Sequence, residues 1–127
     1  MIVGIGTDLA EVARIRQSVA DYGDRFLNRV FTEIERQYAM RRKNFAERLA
    51  ARFAAKEAGM KAIGTGWRKG VTWQDFEVVN EPSGRPTLRL SGAAAERAAQ
   101  LGARRISLSL THTAETASAV VILEDGN

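Results

Sequence analysis

Apolar side chains recur every three or four residues through much of the first half of the chain, a spacing typical of amphipathic helices. The longest such run is predicted over residues 45–63, which are rich in alanine and contain no proline. Phe45, Leu49, Phe53 and Met60 fall on one stripe when this segment is wound at about 100° per residue. The pattern therefore predicts a long helix, which the glycine at the next position ends.

Two shorter helices are predicted before it. The first runs over residues 11–22 and is ended by Gly23. The second begins after Thr32, where the sequence matches a capping box, and runs to about Arg42. Asn44 is the expected cap of the long helix that follows.

Alternating and apolar runs in the remaining sequence predict five strands. Their ranges are 2–7, 73–79, 87–90, 106–112 and 117–123, with a turn over 82–86. Ser91 is the expected cap of a short helix that ends at Gly102. Paired strands without regular helical crossovers indicate an α+β fold, whose mainly antiparallel sheet packs against the long helix. A chain of 127 residues is expected to form one domain over residues 1–127.

The lack of cysteine narrows the possible chemistry. It excludes disulfides, thiolate metal sites and cysteine nucleophiles. Because small secreted domains often depend on disulfides, it also favours a cytoplasmic location. Met1 leads directly into a short apolar run without a basic leader, and no apolar stretch approaches the roughly 18 residues of a membrane span. We therefore expect neither a signal peptide nor a membrane-spanning segment.

The positive charge of the chain is concentrated in one region. The net charge is +4, and between Glu11 and Lys56 eleven lysines or arginines oppose six acidic residues. Such a basic segment favours an anionic partner, which composition alone leaves open as nucleic acid, a membrane surface, a phosphorylated small molecule or an acidic protein. A solvated basic face without a partner is the alternative.

Glu57 lies on the apolar side of the long predicted helix, about 40° from Phe53 by helical geometry. Lys61 is one turn further on, and Lys56 lies inside the other edge of the stripe. A carboxylate directed toward a core is costly unless it is paired or bound to a metal. An ordinary ion pair between Glu57 and Lys61, four residues apart, is the structural alternative.

Asp8 stands at the end of the first predicted strand, after Gly4 and Gly6, which suggest close backbone approach. It is suited either to capping the next helix or to orienting a ligand. With no cysteine and one histidine, an oxygen-ligand site is the credible kind of metal site. Two carboxylates, Asp8 and Glu57, together with phosphate oxygens and water suit Mg²⁺.

Two further features favour contact with phosphate or sugar oxygens. His112, the only histidine, ends an alternating strand whose hydroxyl side chains form a polar row, and a hydrogen-bonded histidine at a strand end is the structural alternative. Gly64-Thr65-Gly66, with basic residues nearby, offers backbone amides to phosphates. This loop lacks the spacing of a P-loop, so the motif alone is weak.

Several motifs occur together and in order along nearly the whole chain. They are Gly4-Ile-Gly-Thr-Asp8-Leu, Arg52-Phe-Ala-Ala-Lys-Glu-Ala58 with Lys61, Gly64-Thr-Gly66, Gly84-Arg-Pro86 and Ser107-Leu-Ser-Leu-Thr-His-Thr113. In this order and spacing the chain resembles the bacterial holo-acyl-carrier-protein synthases, the short type of 4'-phosphopantetheinyl transferase. Each motif is modest alone, but the ordered set is highly specific.

The resemblance implies a reaction and a set of partners. The phosphopantetheine arm of coenzyme A, the co-substrate, is moved onto a serine of an acyl carrier protein, and adenosine 3',5'-bisphosphate is released. Members of this length are typically homotrimers with sites between subunits. The resemblance also implies magnesium as the cofactor and a role in fatty acid biosynthesis.

It further implies roles for individual residues. Asp8 and Glu57 bind magnesium with the pyrophosphate, and Lys61 lies near the phosphates. Arg52, Lys56, His112 and Thr113 lie around the nucleotide end, Gly84, Arg85 and Pro86 lie near the adenine, and Gly64, Thr65 and Gly66 complete the coenzyme A site. Because carrier proteins are usually acidic, Arg14, Arg25 and Arg29 are expected to dock the carrier.

Two other functions compete with this interpretation. A basic nucleic-acid-binding domain would use Trp67 and Trp73 to stack on bases, but leaves Asp8 and Glu57 unexplained. A catalytically inactive relative that only binds carrier protein is opposed by the intact Asp8, Glu57 and Lys61. We therefore expect an enzyme, with neither nucleic acid nor membrane as a partner.

Two positions depart from the usual pattern of the family. Thr111 precedes the histidine where serine is common, and it keeps a hydroxyl group. Gly59 follows Lys-Glu-Ala where bulkier residues are common. Glycine is expected to loosen the helix locally without touching the expected ligands.

Overall fold

A computed structural model of the protein describes residues 1–127. Its helices and strands are β1 Ile2–Glu11, α1 Val12–Tyr22, α2 Asp24–Val30, α3 Glu33–Met40, α4 Phe45–Ile63, β2 Phe76–Asn80, β3 Pro86–Leu90, α5 Gly92–Gln100, β4 Arg105–His112 and β5 Thr116–Glu124. A 3-10 turn, Trp73–Asp75, leads into β2. The order confirms the predicted α+β class.

The strands form two antiparallel sheets. β5 is the centre of a three-stranded sheet with β1 and β4 on either side, while β2 and β3 form a separate hairpin. The alternate β5 residues Ala117, Ala119, Val121 and Leu123 are buried and form the inner face of the larger sheet. The other face of β1 leaves large apolar side chains exposed.

Helix α4 is the centre of the molecule, and its bounds are those that the sequence predicts. Thirteen of its nineteen residues are buried. The predicted apolar stripe accounts for only part of this burial, because alanines on other sides of the helix are buried as well. The alanines allow neighbours to approach from several directions, and Gly64 ends the helix in a left-handed conformation with φ 76°.

Backbone contact joins β1 to α4. A Cβ atom on Gly4 would collide with the carbonyl oxygen of Ala62, and one on Gly6 would collide with that of Ala58. Only glycine allows a strand to lie this close to a helix. The close approach expected for these two glycines is therefore confirmed.

Gly59 permits a second close contact on another side of α4. An added Cβ would lie 2.8 Å from two ring atoms of Phe76, and both residues are buried. The helix runs through Gly59 without a break. Its lack of a side chain therefore serves packing against the β2–β3 hairpin, a role that the sequence did not reveal.

A buried ion pair links α3, α4 and β2. The Nζ atom of Lys56 lies 2.7 Å from Glu35 Oε1, and neither side chain is exposed. Lys56 also donates to the carbonyl oxygens of Trp73, at 3.2 Å, and Phe76. Glu35 accepts from the backbone N–H of Val78 at 2.8 Å, so every strong polar atom of the pair has a partner.

Glu35 also completes the capping box at the start of α3. Its Oε1 accepts from the Thr32 N–H at 2.9 Å, as the sequence predicts. The other expected caps differ. Neither Asn44 nor Ser91 caps its helix through its side chain. The Asn44 oxygen binds Arg48, and Asp75 accepts from an N–H in the first turn of α5.

Three further boundaries correct the predictions. α2, which is seven residues long, was not predicted. It begins at Asp24, directly after Gly23 ends α1, so the sequence between the two helices holds no separate loop that would mark a new element. β1 continues through Asp8 to Glu11, since all these residues pair with β5. The segment 73–75 is a 3-10 turn and not part of a strand.

Candidate active site

Asp8 and Glu57 meet in one cleft of about 550 Å³. β1 carries Asp8 along the face of α4, and Glu57 points from the helix into the same opening. The other lining residues are Leu9, Ala10, Glu11, Arg14, Ile15, Ser18, Phe26, Phe53 and Thr116. The structure thus brings together two carboxylates that are 49 residues apart in the chain.

Both structural alternatives for these carboxylates fail. Asp8 does not cap α1, because that helix begins at Val12 and Glu11 occupies the cap position. Lys61 does not form its ion pair with Glu57. Its Nζ atom lies 3.0 Å from Asp8 Oδ1 and also donates to the Thr7 carbonyl oxygen at 3.0 Å.

Glu57 is consequently an uncompensated carboxylate. Burial raises its pKa above the usual value of 4.5, and the negative charge of Asp8 raises it further, whereas Lys61 acts in the opposite direction. Because desolvation and a like charge both disfavour its ionised form, a cation placed between the carboxylates would stabilise that form. The cleft is therefore suited to cations.

The donor set fits Mg²⁺ better than a metal that needs many protein ligands. No cluster of three or more histidine, aspartate or glutamate side chains is placed to hold a metal. Mg²⁺ is commonly held by one or two carboxylates, with water and substrate phosphates completing its coordination. Asp8 and Glu57 match that smaller requirement.

Three of the residues expected at the nucleotide end line a second, smaller pocket of about 170 Å³. Arg52, Pro86 and His112 meet there, although they come from α4, β3 and β4. The rest of the lining comprises Tyr38, Arg48, Ala51, Asn80 and Leu110. The sequence motifs thus identify part of a real pocket but omit Tyr38, Arg48 and Asn80.

Polar contacts order this pocket. Arg52 is 5% exposed, and its Nη2 atom donates to Asn80 Oδ1 at 3.1 Å. Asn80 in turn donates to the Gly84 carbonyl oxygen at 3.1 Å, which connects the predicted Gly84–Pro86 turn to the pocket. His112 Nδ1 lies 3.3 Å from Glu47 Oε1, so the histidine has a partner on α4.

Lys56 is not part of either cleft, and its expected contact with coenzyme A is not supported. Its side chain is fully buried and its ammonium group already has three oxygen partners. Burial lowers its pKa, while Glu35 favours the charged form. Lys56 is a structural residue because it joins α4 to α3 and the β2 region.

The remaining expected coenzyme A contacts lie in turns. Thr113 holds the β4–β5 turn, where its hydroxyl oxygen accepts from the backbone N–H groups of Glu115 and Thr116. Thr65 is buried and donates to the Gly66 carbonyl oxygen at 3.1 Å. Arg85 is exposed in the β2–β3 turn. None of these three lines the two clefts described above.

The three arginines expected to dock a carrier protein lie beside the carboxylate cleft. Arg14 lines that cleft, and Arg25 and Arg29 line an adjacent one of about 370 Å³. Ser18 and Phe26 contribute to both clefts, so the two adjoin. The aromatic contribution was missed because Phe26 lies in the unpredicted helix α2.

The tryptophans do not form the stacking surface that a nucleic-acid-binding domain would need. Trp67 is 60% exposed, but Trp73 is buried with its ring stacked on Phe53 at a centroid distance of 4.9 Å. A ring already covered by Phe53 does not offer its face to a base. None of the helices combines the length and apolar character that crossing a membrane requires.

Comparison with known proteins identifies the family of the chain. The family model of the 4'-phosphopantetheinyl transferase superfamily matches residues 4–118. A holo-[acyl-carrier-protein] synthase of Solibacter usitatus (strain Ellin6076) is 61% identical over 98% of this chain and 100% of its own. The corresponding protein of Koribacter versatilis (strain Ellin345) is 58% identical with the same coverage.

Solved structures show the same architecture. The holo-[acyl-carrier-protein] synthase of Neisseria meningitidis superposes with a TM-score of 0.88 at 34% identity, covering 98% of this chain and 99% of that one. The enzyme of Bacillus anthracis str. Ames, in complex with CoA (3',5'-ADP), gives 0.82 at 41% identity and 99% coverage of both. The chain belongs to the 4'-phosphopantetheinyl transferase superfamily, and within it to the holo-[acyl-carrier-protein] synthases.

Proposed function

We propose that this chain transfers the 4'-phosphopantetheine group of coenzyme A onto a serine of an apo-acyl carrier protein. Adenosine 3',5'-bisphosphate is released, and the holo-carrier supports fatty acid biosynthesis. The observation that carries the proposal is the meeting of Asp8, Glu57 and Lys61 at the cleft bordered by Arg14. The whole chain, residues 1–127, acts as one domain in this proposal, in the cytoplasm.

The reaction breaks the P–O–P bond of the coenzyme A pyrophosphate. Negative charge grows on the leaving oxygen as this bond breaks. Asp8 and Glu57 would hold Mg²⁺, which supplies neutralising charge to the pyrophosphate oxygens when it is bound. Lys61, whose side chain is half exposed, is placed beside Asp8 to reach the same phosphates. The closeness of the two carboxylates and the raised pKa of Glu57 support this assignment.

The carrier serine must lose a proton as it attacks. Either Glu57, which lines the cleft, or a water molecule held there would receive that proton. Arg14, Arg25 and Arg29 would hold the acidic carrier against the same opening, with Phe26 between the two parts of the surface. Attraction between opposite charges would also speed the encounter.

The nucleotide end of coenzyme A is assigned to the pocket of Arg52, Pro86 and His112. This pocket and the carboxylate cleft share no lining residue. A site formed between subunits would allow the carboxylate cleft of one copy to face the guanidinium pocket of another. Gly64–Gly66, Gly84, Arg85 and Thr113 stay assigned to the coenzyme as parts of the surrounding turns.

The proposed assembly is a homotrimer. The outer face of the larger sheet carries Ile5 and Leu9, which are 61% and 70% exposed. In β5, Ile122 pairs with Ile5 and extends this apolar surface. Large exposed apolar patches commonly mark contacts between proteins. Burying this face between copies would support the trimer and the sites between its subunits.

The test is direct. The purified protein is mixed with apo-carrier protein, coenzyme A and Mg²⁺, and the mass of the carrier is measured. We expect the mass of one phosphopantetheine group to be added, and we expect a chelator to prevent the addition. A carrier whose mass stays unchanged with every divalent metal would refute the transferase function and leave binding of the carrier as the alternative.

A further inference from the structure

Three arginines surround one tyrosine ring beside the small pocket. The guanidinium carbons of Arg52, Arg42 and Arg48 lie 4.3, 4.7 and 5.3 Å from the centroid of the Tyr38 ring. The face of an aromatic ring attracts cations, so Tyr38 lowers the cost of placing these charges together. None of the three arginines forms an ion pair with a carboxylate.

The contacts of Arg48 fix its orientation. Its Nη1 atom donates to the Tyr38 hydroxyl at 2.9 Å, and its Nε atom donates to Asn44 Oδ1 at 3.0 Å. Both partners are neutral groups, so they orient the guanidinium without cancelling its charge. Arg48 lines the same pocket as Arg52 and His112.

Arg52 has a buried hydrogen-bond donor that no protein group satisfies. It is 5% exposed, and its Nε atom has no hydrogen-bond partner. Burial lowers its pKa, because a desolvated cation is costly. An unpartnered buried donor beside a second uncompensated guanidinium is the arrangement expected of an anion site, since an anion would relieve both costs.

We propose that Tyr38 is a positioning residue that holds Arg48 beside Arg52, and that Arg48 is a further ligand of the phosphate monoester at the nucleotide end of coenzyme A. The proposal rests on the proposed function, which assigns the nucleotide end to this pocket. Tyr38 acts through the two arginines: its ring lies against both, and its hydroxyl group orients Arg48.

Calorimetry of nucleotide binding tests the proposal without turnover. Adenosine 3',5'-bisphosphate carries the additional phosphate, and 5'-AMP lacks it. We expect Arg48→Gln to weaken binding of the bisphosphate roughly tenfold, as for loss of a charge-assisted hydrogen bond. Binding of 5'-AMP should change by less than about twofold. Arg42→Gln is the matched control, because Arg42 packs on the same ring but does not line the pocket.

Tyr38→Phe separates positioning from a general role in stability, because it keeps the ring and removes only the hydroxyl group. We expect it to weaken bisphosphate binding severalfold in the wild-type background, and to have no further effect in the Arg48→Gln background. Equal effects in the two backgrounds would overturn the positioning role. Thermal melting of each variant would verify that the fold persists.

Kinetics with coenzyme A and 3'-dephospho-coenzyme A give a second readout. Arg48→Gln should raise the KM for coenzyme A roughly tenfold and leave that for the dephospho form nearly unchanged. Equal loss with both substrates, or the same discrimination in Arg42→Gln, would refute the assignment of Arg48. If the assignment of Arg48 is refuted in this way but the wild-type protein still transfers phosphopantetheine, the proposed function stands. If the wild-type protein does not transfer phosphopantetheine at all, the proposed function itself is overturned.

Discussion

Lys61 forms its ion pair with Asp8 on β1, at 3.0 Å, and not with Glu57, which lies one turn earlier on the same helix. The ammonium group of Lys61 therefore neutralises one of the two expected metal ligands. A metal ion binding to Asp8 must compete with this internal cation. When coenzyme A is present, the phosphates offer Lys61 another partner.

Lys61→Met should consequently separate metal binding from catalysis. We expect Mn²⁺, used as a probe for Mg²⁺, to bind the coenzyme-free variant more tightly by a factor of about 1.4 to 5, because a partly exposed ion pair contributes roughly 0.2–1 kcal/mol. The transfer rate should fall at least tenfold, since the charge that stabilises the 5'-phosphate of the leaving adenosine 3',5'-bisphosphate is lost. Calorimetry and carrier mass measure the two effects.

Lys69→Met is the matched control for Lys61→Met. Lys69 is exposed and makes no ion pair. It should change neither metal binding nor turnover. Weaker binding of Mn²⁺ to the Lys61 variant would show that the lysine supports the metal site and does not compete with it.

Glu57→Gln should abolish turnover and increase stability at neutral pH. Since burial and Asp8 raise the pKa of Glu57 in the folded protein, ionisation of this residue favours the unfolded chain. Removing the carboxylate should therefore raise the Tm, measured with a chelator present. The gain should disappear as the pH falls below the usual glutamate value of 4.5, where Glu57 is neutral in both states. A gain that is constant across pH would contradict this explanation.

Arg14→Glu should affect the carrier protein and not the coenzyme. Arg14 lines the carboxylate cleft on the side of Arg25 and Arg29, where an acidic carrier would dock. We expect a rise of about tenfold in the KM for carrier protein, strongest at low salt, with the KM for coenzyme A nearly unchanged. Arg104→Glu, an exposed charge reversal just before β4, is the control. Equal changes in both KM values would count against docking at Arg14.

Lys56→Met should destabilise the fold by about 3–5 kcal/mol, because it leaves the Glu35 carboxylate buried without its cation. Denaturant unfolding measures the loss. The double variant Glu35→Leu with Lys56→Met should recover much of it, since neither charge then stays buried. Comparable losses in the single and double variants would show that steric packing, and not the lone charge, is responsible.

Gly59→Ala should also destabilise the protein, although alanine is the better helix former by about 1 kcal/mol. The added Cβ would lie 2.8 Å from the Phe76 ring, which is fully buried, and such overpacking costs about 1–3 kcal/mol. Phe76→Leu should cost less in the Gly59→Ala background than alone. A more stable Gly59→Ala variant would mean that the ring moves freely.

The accuracy of the sequence predictions depended on how local the determining contacts are. The bounds of α4 follow from alanine, from the lack of proline and from Gly64, all of which act within a few residues. The Thr32–Glu35 capping box is equally local. β1, in contrast, extends past Asp8 because β5 supplies its hydrogen bonds, and nothing in the first eleven residues encodes that partner.

Prediction of the candidate site from sequence likewise succeeded for local features and failed for tertiary contacts. The helical angle of Glu57 indicated its inward direction, but local spacing suggested Lys61 as its partner, and the tertiary contact with Asp8 prevailed. The role of Lys56 was also missed, because its ion-pair partner Glu35 comes from another helix and local spacing does not reveal it. Tyr38 and Arg48 carry no motif signal, so only the packing of α3 on α4 revealed them.

The contacts of Gly4 and Gly6 with the carbonyl groups of Ala62 and Ala58 have a consequence for how the family can vary. The main chain of β1 contacts the main chain of α4 there, with no side chain between them. Substitutions elsewhere in the chain therefore do not change the distance between the strand and the helix at this point. The separation of Asp8 and Glu57 is therefore set by the polypeptide backbone itself. A side chain added at Gly4 or Gly6 would push β1 away from α4 and so change that distance, whereas changes in loops and docking residues do not act on this contact.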